Sequence, residues 1–265
     1  FIKMGIKTNF VFVHHDPDPT FPNGIPNPIL EENRSSTADA VVNENADFGV
    51  AFDGDFDRCF FFDHSGSFIP GEYVVGLLAE IFLDKEKGAT IIHDPRVIWN
   101  TIDVVGKCGG HAVASKTGHA FVKAAMREQD AIYGGEMSAH HYFRDFAYCD
   151  SGIIPWLLVW EYLSMSNFSL SELISAQKNR FPSSGELNFA VSNATRCIEK
   201  VQSHFASSAA SIDYLDGLSI SFETWRFNLR KSNTEPLVRL NVETRGDDAL
   251  LREKTNELEL LIEQP

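Results

Sequence analysis

Apolar residues recur along this chain with two different periods, and the changes between them mark its elements. Residues 9–13, Asn-Phe-Val-Phe-Val, read as a short apolar strand. The stretch Asp16 to Pro28 follows, and its five prolines and Asn23-Gly24 step exclude regular structure. Such a loop suits a ligand-facing segment or a plain connector equally. Ser35 to Asn45 predicts a helix capped by Ser35 or Ser36. Asp47 to Phe52 and Cys59 to Asp63 read as strands, with a turn at Ser65-Gly66.

From Pro70 the period alternates between helix and strand. Helices are expected over Glu72 to Lys85, Asn100 to Gly106, His119 to Gln129 and Gly152 to Ser164. Strands fall at Thr90 to His93 and His111 to Ser115, and Ile132-Tyr133 leads into Gly134-Gly135. Pro182-Ser183-Ser184-Gly185 reads as a linker. Beyond it come a strand at Leu187 to Val191, a helix at Ala194 to Phe205, and a hairpin over Asp216-Gly217. Strands at Trp225 to Leu229 and Val238 to Val242 and a last helix from Asp247 to Ile262 complete the pattern. The expectation is an α/β fold with helices on the sheet faces, followed by a smaller α+β domain on an antiparallel sheet. The boundaries expected are 1–67, 68–180 and 181–265.

Composition narrows the partners. A net charge of −14 argues against nucleic acid, because a phosphate backbone needs clustered Lys and Arg. It leaves room for a small anion held by a few cations in one cleft. No apolar run approaches the ~20 residues of a membrane span. The four cysteines form no CxxC pair, which suits buried thiols in a reducing cytoplasm. Phe1 is not an initiator, so the chain is expected to begin inside a longer product.

Three loops carry candidate chemistry. Asp53-Gly54-Asp55-Phe56-Asp57-Arg58 places three carboxylates within five residues after an apolar strand. They repel unless a cation lies between them, and oxygen donors suit a hard ion such as Mg²⁺. Arg58 adds a donor fitted to a phosphoryl group. A solvated acidic turn is the plain alternative. A helix-loop-helix calcium site would need Gly at Arg58 and Glu at His64. The second loop is Gly134-Gly135-Glu136-Met137-Ser138-Ala139-His140-His141. Its glycines allow a sharp turn, and Glu136 with Ser138 suits a pair of sugar hydroxyls. On this stretch alone an ordinary turn is favoured. Adjacent histidines point to opposite sides of a strand, which argues against zinc. The third is Arg230-Lys231-Ser232-Asn233-Thr234-Glu235-Pro236 with Arg239, a set of donors for one phosphate or else a polar hairpin. A weaker stretch, Lys116-Thr117-Gly118-His119, puts a histidine at a helix start.

Taken in order, Asp53-Gly54-Asp55-x-Asp57-Arg58, Lys116-Thr117-Gly118-His119, Gly135-Glu136-Met137-Ser138-x-His140 and Arg230-x-Ser232-Asn233-Thr234-x-Pro236 resemble the motifs of the α-D-phosphohexomutase family over nearly the whole chain. The run from Gly134 through Asp150 looks like the phosphomannomutase branch of that family. The resemblance implies a four-domain enzyme whose first domain carries a phosphoserine in a Ser-His-Asn-Pro motif. That motif is absent here, so the chain alone is expected to be inactive and to need those N-terminal domains. Asp53, Asp55 and Asp57 are implied as Mg²⁺ ligands and Arg58 as a contact of the transferring phosphoryl group. Thr117, Gly118, His119, Glu136, Ser138 and His140 are implied at the sugar. Arg230, Ser232, Asn233, Thr234 and Arg239 are implied at the non-reacting phosphate. Arg96 stands where some members carry a substrate-contacting Lys. Many members have Gly where this chain has Ala139. The implied substrates are the 1- and 6-phosphates of mannose or glucose, interconverted through a 1,6-bisphosphate.

Two other classes remain open on sequence. One is a haloacid-dehalogenase-type phosphatase with Asp53 as nucleophile, though Phe56-Asp57 departs from its usual Gly and Thr. The other is a non-catalytic sugar-phosphate or calcium-binding module.

Overall fold

The computed structural model describes residues 8–232 and 235–264. After an irregular stretch, helix α1 (Ser35–Asn43) packs on a three-stranded antiparallel sheet of β1 (Phe48–Phe52), β2 (Cys59–Asp63) and β3 (Phe68–Ile69), in that order. Gly49 lies under α1, where a Cβ would collide with the Val41 side chain. The strand expected at residues 9–13 does not form. The run is largely apolar, but a strand needs a ladder partner, and here the aromatic rings do the packing: Phe10 stacks on Phe12 and sits edge-on to Trp156. Neither Ser35 nor Ser36 caps α1; Arg34 holds the cap position, and the chain enters through a 3-10 turn over Glu31–Asn33.

The middle unit is a five-stranded sheet, order β5-β4-β6-β7-β8, flanked by helices. Its elements run α2 (Gly71–Lys85), β4 (Thr90–His93), α3 (Trp99–Lys107), β5 (His111–Ala114), α4 (His119–Glu128), β6 (Tyr133–Gly135), β7 (His141–Phe143), β8 (Cys149–Asp150), α5 (Ile153–Met165) and α6 (Leu170–Arg180). β4, β5 and β6 are parallel; β7 and β8 return antiparallel. Alternate residues serve opposite faces. Ile91, Tyr133 and Phe143 share a core with α2, whereas Ile92 and Tyr142 pack against Val122 and Met126 of α4. Cys59 and Phe61 of β2 join the α2 core, so the first sheet and the middle unit share apolar contacts. Helix α6 was not foreseen, yet Ser169 and Glu172 form a capping box at its start, a spacing visible in the sequence.

The last unit is a five-stranded antiparallel sheet, order β10-β11-β12-β13-β9, with two helices on one face. The elements are β9 (Ser183–Ala190), α7 (Ala194–Phe205), β10 (Ser211–Asp213), β11 (Leu218–Ser221), β12 (Trp225–Lys231), β13 (Leu237–Thr244) and α8 (Asp248–Glu263). The supposed linker at Ser183-Ser184-Gly185 is the first part of β9, bonded to β13 across a bulge near Asn241. Its small residues allow that irregular pairing. The α/β body with a smaller antiparallel C-terminal sheet matches expectation.

This last sheet has two unlike faces. Phe227, Leu229, Val238, Leu240 and Val242 pack on α7 and α8. The alternate positions Arg226, Asn228, Asn241 and Glu243 are polar and also buried. Arg226, Asn241 and Glu243 reach the middle unit. Arg226 donates to Glu243 Oε1 at 2.7 Å and to the carbonyls of Arg96 and Pro95 at 2.8 and 3.0 Å. Glu243 accepts from the amides of Ile98 and Trp99 at 2.8 and 3.0 Å. Those amides open α3, which has no side-chain cap of its own. A carboxylate from another unit therefore satisfies this helix N-terminus.

Removing one partner of such a pair leaves a buried charge uncompensated. Glu243→Gln or Arg226→Met is expected to lower the unfolding free energy by about 3–5 kcal/mol, measured by denaturant titration. A second buried carboxyl gives a pH dependence. Burial, reinforced by Asp94 and Glu243, pushes Glu72 up from the ordinary 4.5 to about 7. The folded state then holds a proton that the unfolded state releases. Its contribution is full below about 4.5 and is lost as pH rises to about 7, on the order of 3 kcal/mol. Unfolding titrations of Glu72→Gln across that window should show this slope removed.

Candidate functional site

The acidic loop turns directly out of β1. Asp53 is only 2% exposed, and Arg58 grips it twice, backbone N to Oδ1 at 3.1 Å and Nε to Oδ2 at 2.5 Å. Burial alone would raise the Asp53 carboxyl; the Arg58 hydrogen bonds outweigh it and hold it below the usual range. Asp57 goes the other way. Burial raises it, Asp53 and Asp55 push it further, and His140 opposes them. Phe56 adopts φ 61°, and the loop's Asp53, Asp55 and Asp57 oxygens lie within 4.8 Å of one another. Asp57 Oδ1 is buried with no hydrogen-bond partner among the described residues. Crowded hard oxygen donors with one left over fit a divalent cation such as Mg²⁺.

The hydroxyl loop sits beside it. Arg58 and His140 form a bridge between the two segments. Cys59 N donates to Ala139 O at 3.3 Å, and Gly152 N to Phe56 O at 3.1 Å. Burial also draws Glu136 in, to 2% exposure. Its Oε2 accepts from Tyr142 at 2.6 Å and its Oε1 from Gly118 N at 2.8 Å, so the Thr117-Gly118 segment is tied to it. Ser138 is half-buried at the turn, and His119 is exposed at the start of α4. The two histidines diverge. His140 Nδ1 lies 3.1 Å from Asp150 and 3.7 Å from Asp57. His141 is fully buried against Tyr133 at 2.7 Å, and burial drives its basicity down to about 3.

Gly134 and Gly135 do not make the sharp turn their sequence suggested. Both lie in β6, and their missing side chains admit neighbours. A Cβ on Gly135 would stand 2.7 Å from Val75 Cγ2, and one on Gly134 2.8 Å from Met126 Sδ. The left-handed residue is Ala139, at φ 70°. That geometry favours glycine.

The third loop closes the group. Arg230 and Arg239 are direct partners across β12 and β13, and Ser232 N donates to Leu237 O at 3.0 Å. Asn233 and Thr234 lie outside the described residues. Arg96 is buried, not presented to solvent. It bonds Asp94 Oδ2 at 2.8 Å and Glu186 Oε2 at 3.3 Å. Asp94 Oδ2 also accepts from Met137 N at 2.7 Å. Arg96 and its neighbours outweigh burial and hold the Asp94 carboxyl low. Thr117 Oγ1 donates to Asp216 Oδ2, joining the α4 loop to the β10–β11 hairpin. The acidic, hydroxyl and arginine loops are thus linked through Arg58–His140, Met137–Asp94 and Arg96–Glu186. Sequence reading missed Asp94, Asp150, Glu186 and Asp216. Asp216-Gly217 registered only as a turn, and single acids carry no local pattern.

The sequence profiles of one family match the chain in series. These are "Phosphoglucomutase/phosphomannomutase, alpha/beta/alpha domain II" at residues 1–66, domain III at 70–181 and the C-terminal domain at 186–260. The chain is 60% identical over 262 residues to a phosphomannomutase of Escherichia coli, covering 99% of this chain and 58% of that protein. It is 60% identical over 265 residues to the phosphomannomutase of Vibrio cholerae, covering 100% of this chain and 57% of that protein. A crystal structure of a phosphoglucomutase/phosphomannomutase family protein from Burkholderia thailandensis superposes with TM-score 0.83 at 31% identity, over 95% of this chain and 54% of that one. The chain belongs to the phosphoglucomutase/phosphomannomutase family of α-D-phosphohexomutases. It spans between half and two thirds of the length of the curated relatives named here.

A methyl group on Gly135 would overpack the α2 contact. Gly135→Ala is expected to destabilise the chain by about 1–3 kcal/mol, read from thermal or chemical unfolding; an unchanged midpoint would contradict the packing role.

Proposed function

We propose that this chain forms the metal-, sugar- and phosphate-holding portion of a phosphomannomutase, interconverting mannose 6-phosphate and mannose 1-phosphate. The contiguity of the acidic, hydroxyl and arginine loops carries this reading, together with 60% identity to proteins named phosphomannomutase. Asp53, Asp55 and Asp57 would hold Mg²⁺, which supplies charge stabilisation for a transferring phosphoryl group. Arg58 fixes Asp53 and offers its remaining donors to that group. Glu136 and Ser138 bind hydroxyls of the ring. Each Glu136 oxygen already accepts one protein hydrogen bond, which sets its orientation and leaves a second lone-pair direction. His119 and His140 stand beside the sugar, and Asp150 holds the His140 ring. Arg230, Ser232, Asn233, Thr234 and Arg239 hold the phosphate that does not react, with Arg96 behind them.

The phosphoryl donor of this reading is a phosphoserine supplied by a part of the protein outside this sequence, so the chain alone should bind but not turn over. The phosphatase alternative is not favoured, because the family profiles that match the chain and its relatives at 60% identity are those of phosphoglucomutases and phosphomannomutases.

Asp55 is exposed and Asp57 half-buried, so neutral replacements there should leave the fold intact. Asp55→Asn and Asp57→Asn are each expected to weaken Mg²⁺ binding by about tenfold or more, measured by isothermal titration calorimetry on this chain. Unchanged Mg²⁺ affinity in both would remove the metal assignment.

A further inference from the structure

Arg230 and Arg239 stand opposite each other on the same sheet face. Like charges so placed repel, and Arg96 adds a third guanidinium from the loop after β4. Glu186 of β9 holds the three together. Its Oε2 accepts from Arg230 Nη2 at 2.9 Å and from Arg96 Nη1 at 3.3 Å, and its Oε1 from Arg239 Nη1 at 2.8 Å. Burial would raise this carboxyl, but the three arginines hold it below the usual range, so it is ionised at neutral pH.

One carboxylate does not satisfy three guanidinium forks. The Nε atoms of Arg96, Arg230 and Arg239 are each buried with no hydrogen-bond partner among the described residues. Arg96 is 4% exposed, so its unpaired donor is shielded from bulk water. Buried unpaired donors on convergent arginines point to an anion with more oxygens than a carboxylate offers. The charges agree. Three guanidiniums face Asp94 and Glu186, leaving an excess of one positive charge for a ligand. Glu235, 3.7 Å from Arg239, is on the exposed edge and counts for little.

We propose that Glu186 is a resident stand-in for the substrate phosphate: a positioning residue that keeps the three guanidiniums converged and partly neutralised, and from which a phosphate monoester takes them over on binding. This rests on the reading of Arg230 and Arg239 as the phosphate-holding pair. Binding then breaks carboxylate–guanidinium bonds before it makes phosphate–guanidinium bonds. The native carboxylate therefore lowers anion affinity while it preserves the geometry. An amide of the same shape keeps one acceptor and loses the charge.

The test is titration of this chain with inorganic phosphate by calorimetry at two salt concentrations. Glu186→Gln is expected to bind phosphate about tenfold more tightly than the native chain, with a steeper loss of affinity in salt. Its thermal midpoint without phosphate should fall, and the deficit should shrink as phosphate is added. Glu186→Asp keeps the charge and should stay within about threefold of native affinity. It also serves if the amide variant fails to fold. Equal or weaker phosphate binding by folded Glu186→Gln overturns the proposal, as does an Asp variant that tightens by tenfold. The double variant Arg230→Ala, Arg239→Ala separates the two readings. If it binds phosphate as the native chain does, the phosphate-holding assignment fails and this proposal with it. Arginine-dependent binding that the Gln variant does not tighten removes only the role of Glu186.

Discussion

The buried Arg226–Glu243 pair is the contact on which the rest of the arrangement depends. A five-stranded sheet with helices on one face must do something with its other face. Here that face is polar and buried, and it is tolerable only because each charge meets a partner. Arg226 satisfies carbonyls of Pro95 and Arg96, and Glu243 satisfies the amides that begin α3. The same loop that these residues hold carries Asp94 and Arg96. Fixing the sheet against it therefore fixes the connection between the hydroxyl loop and the arginine loop.

Charge balance organises the site in the same manner. Each cation implied at the ligand is paired with an acid: Arg58 with Asp53, Arg96 with Asp94, and Arg230 and Arg239 with Glu186. A chain with net charge −14 can thus keep guanidiniums half-buried and aligned without a bound anion. The acidic loop is the exception. Its three carboxylates outnumber the arginine that reaches them, and the Asp57 carboxyl is raised chiefly by burial, with Asp53 and Asp55 adding to it. The two ends of the site carry opposite imbalances, surplus negative at Asp53–Asp57 and surplus positive at Arg230–Arg239. A metal at one end and a phosphate at the other would relieve both.

Elements with strong periodicity were legible in the sequence. Helix α2, the strands at 90–93 and 111–114, and the hairpin over Asp216-Gly217 formed where the pattern put them. So did the change from a sheet flanked by helices to a smaller antiparallel sheet. Misreadings came where local pattern lacked a tertiary partner or gained one. Residues 9–13 are largely apolar but find no ladder, and Ser183-Ser184-Gly185 looks like a linker but pairs with β13. Gly134-Gly135 looks like a turn, yet the space beside β6 is taken by Val75 and Met126.

The sequence by itself determined which short strings carry chemistry, because a ligand set of three acids or a donor-rich hairpin is local and survives as spacing. It also determined the order of the units and the family they resemble. Only the tertiary structure decided which acids neutralise which arginines. Glu186 and Arg96 lie ninety positions apart, and Arg226 and Pro95 farther still. Such pairs meet through sheet register and the docking of one unit on another. A lone Glu in a linear string carries no mark of the cation it will face, since that choice is made by long-range packing and the electrostatics of burial.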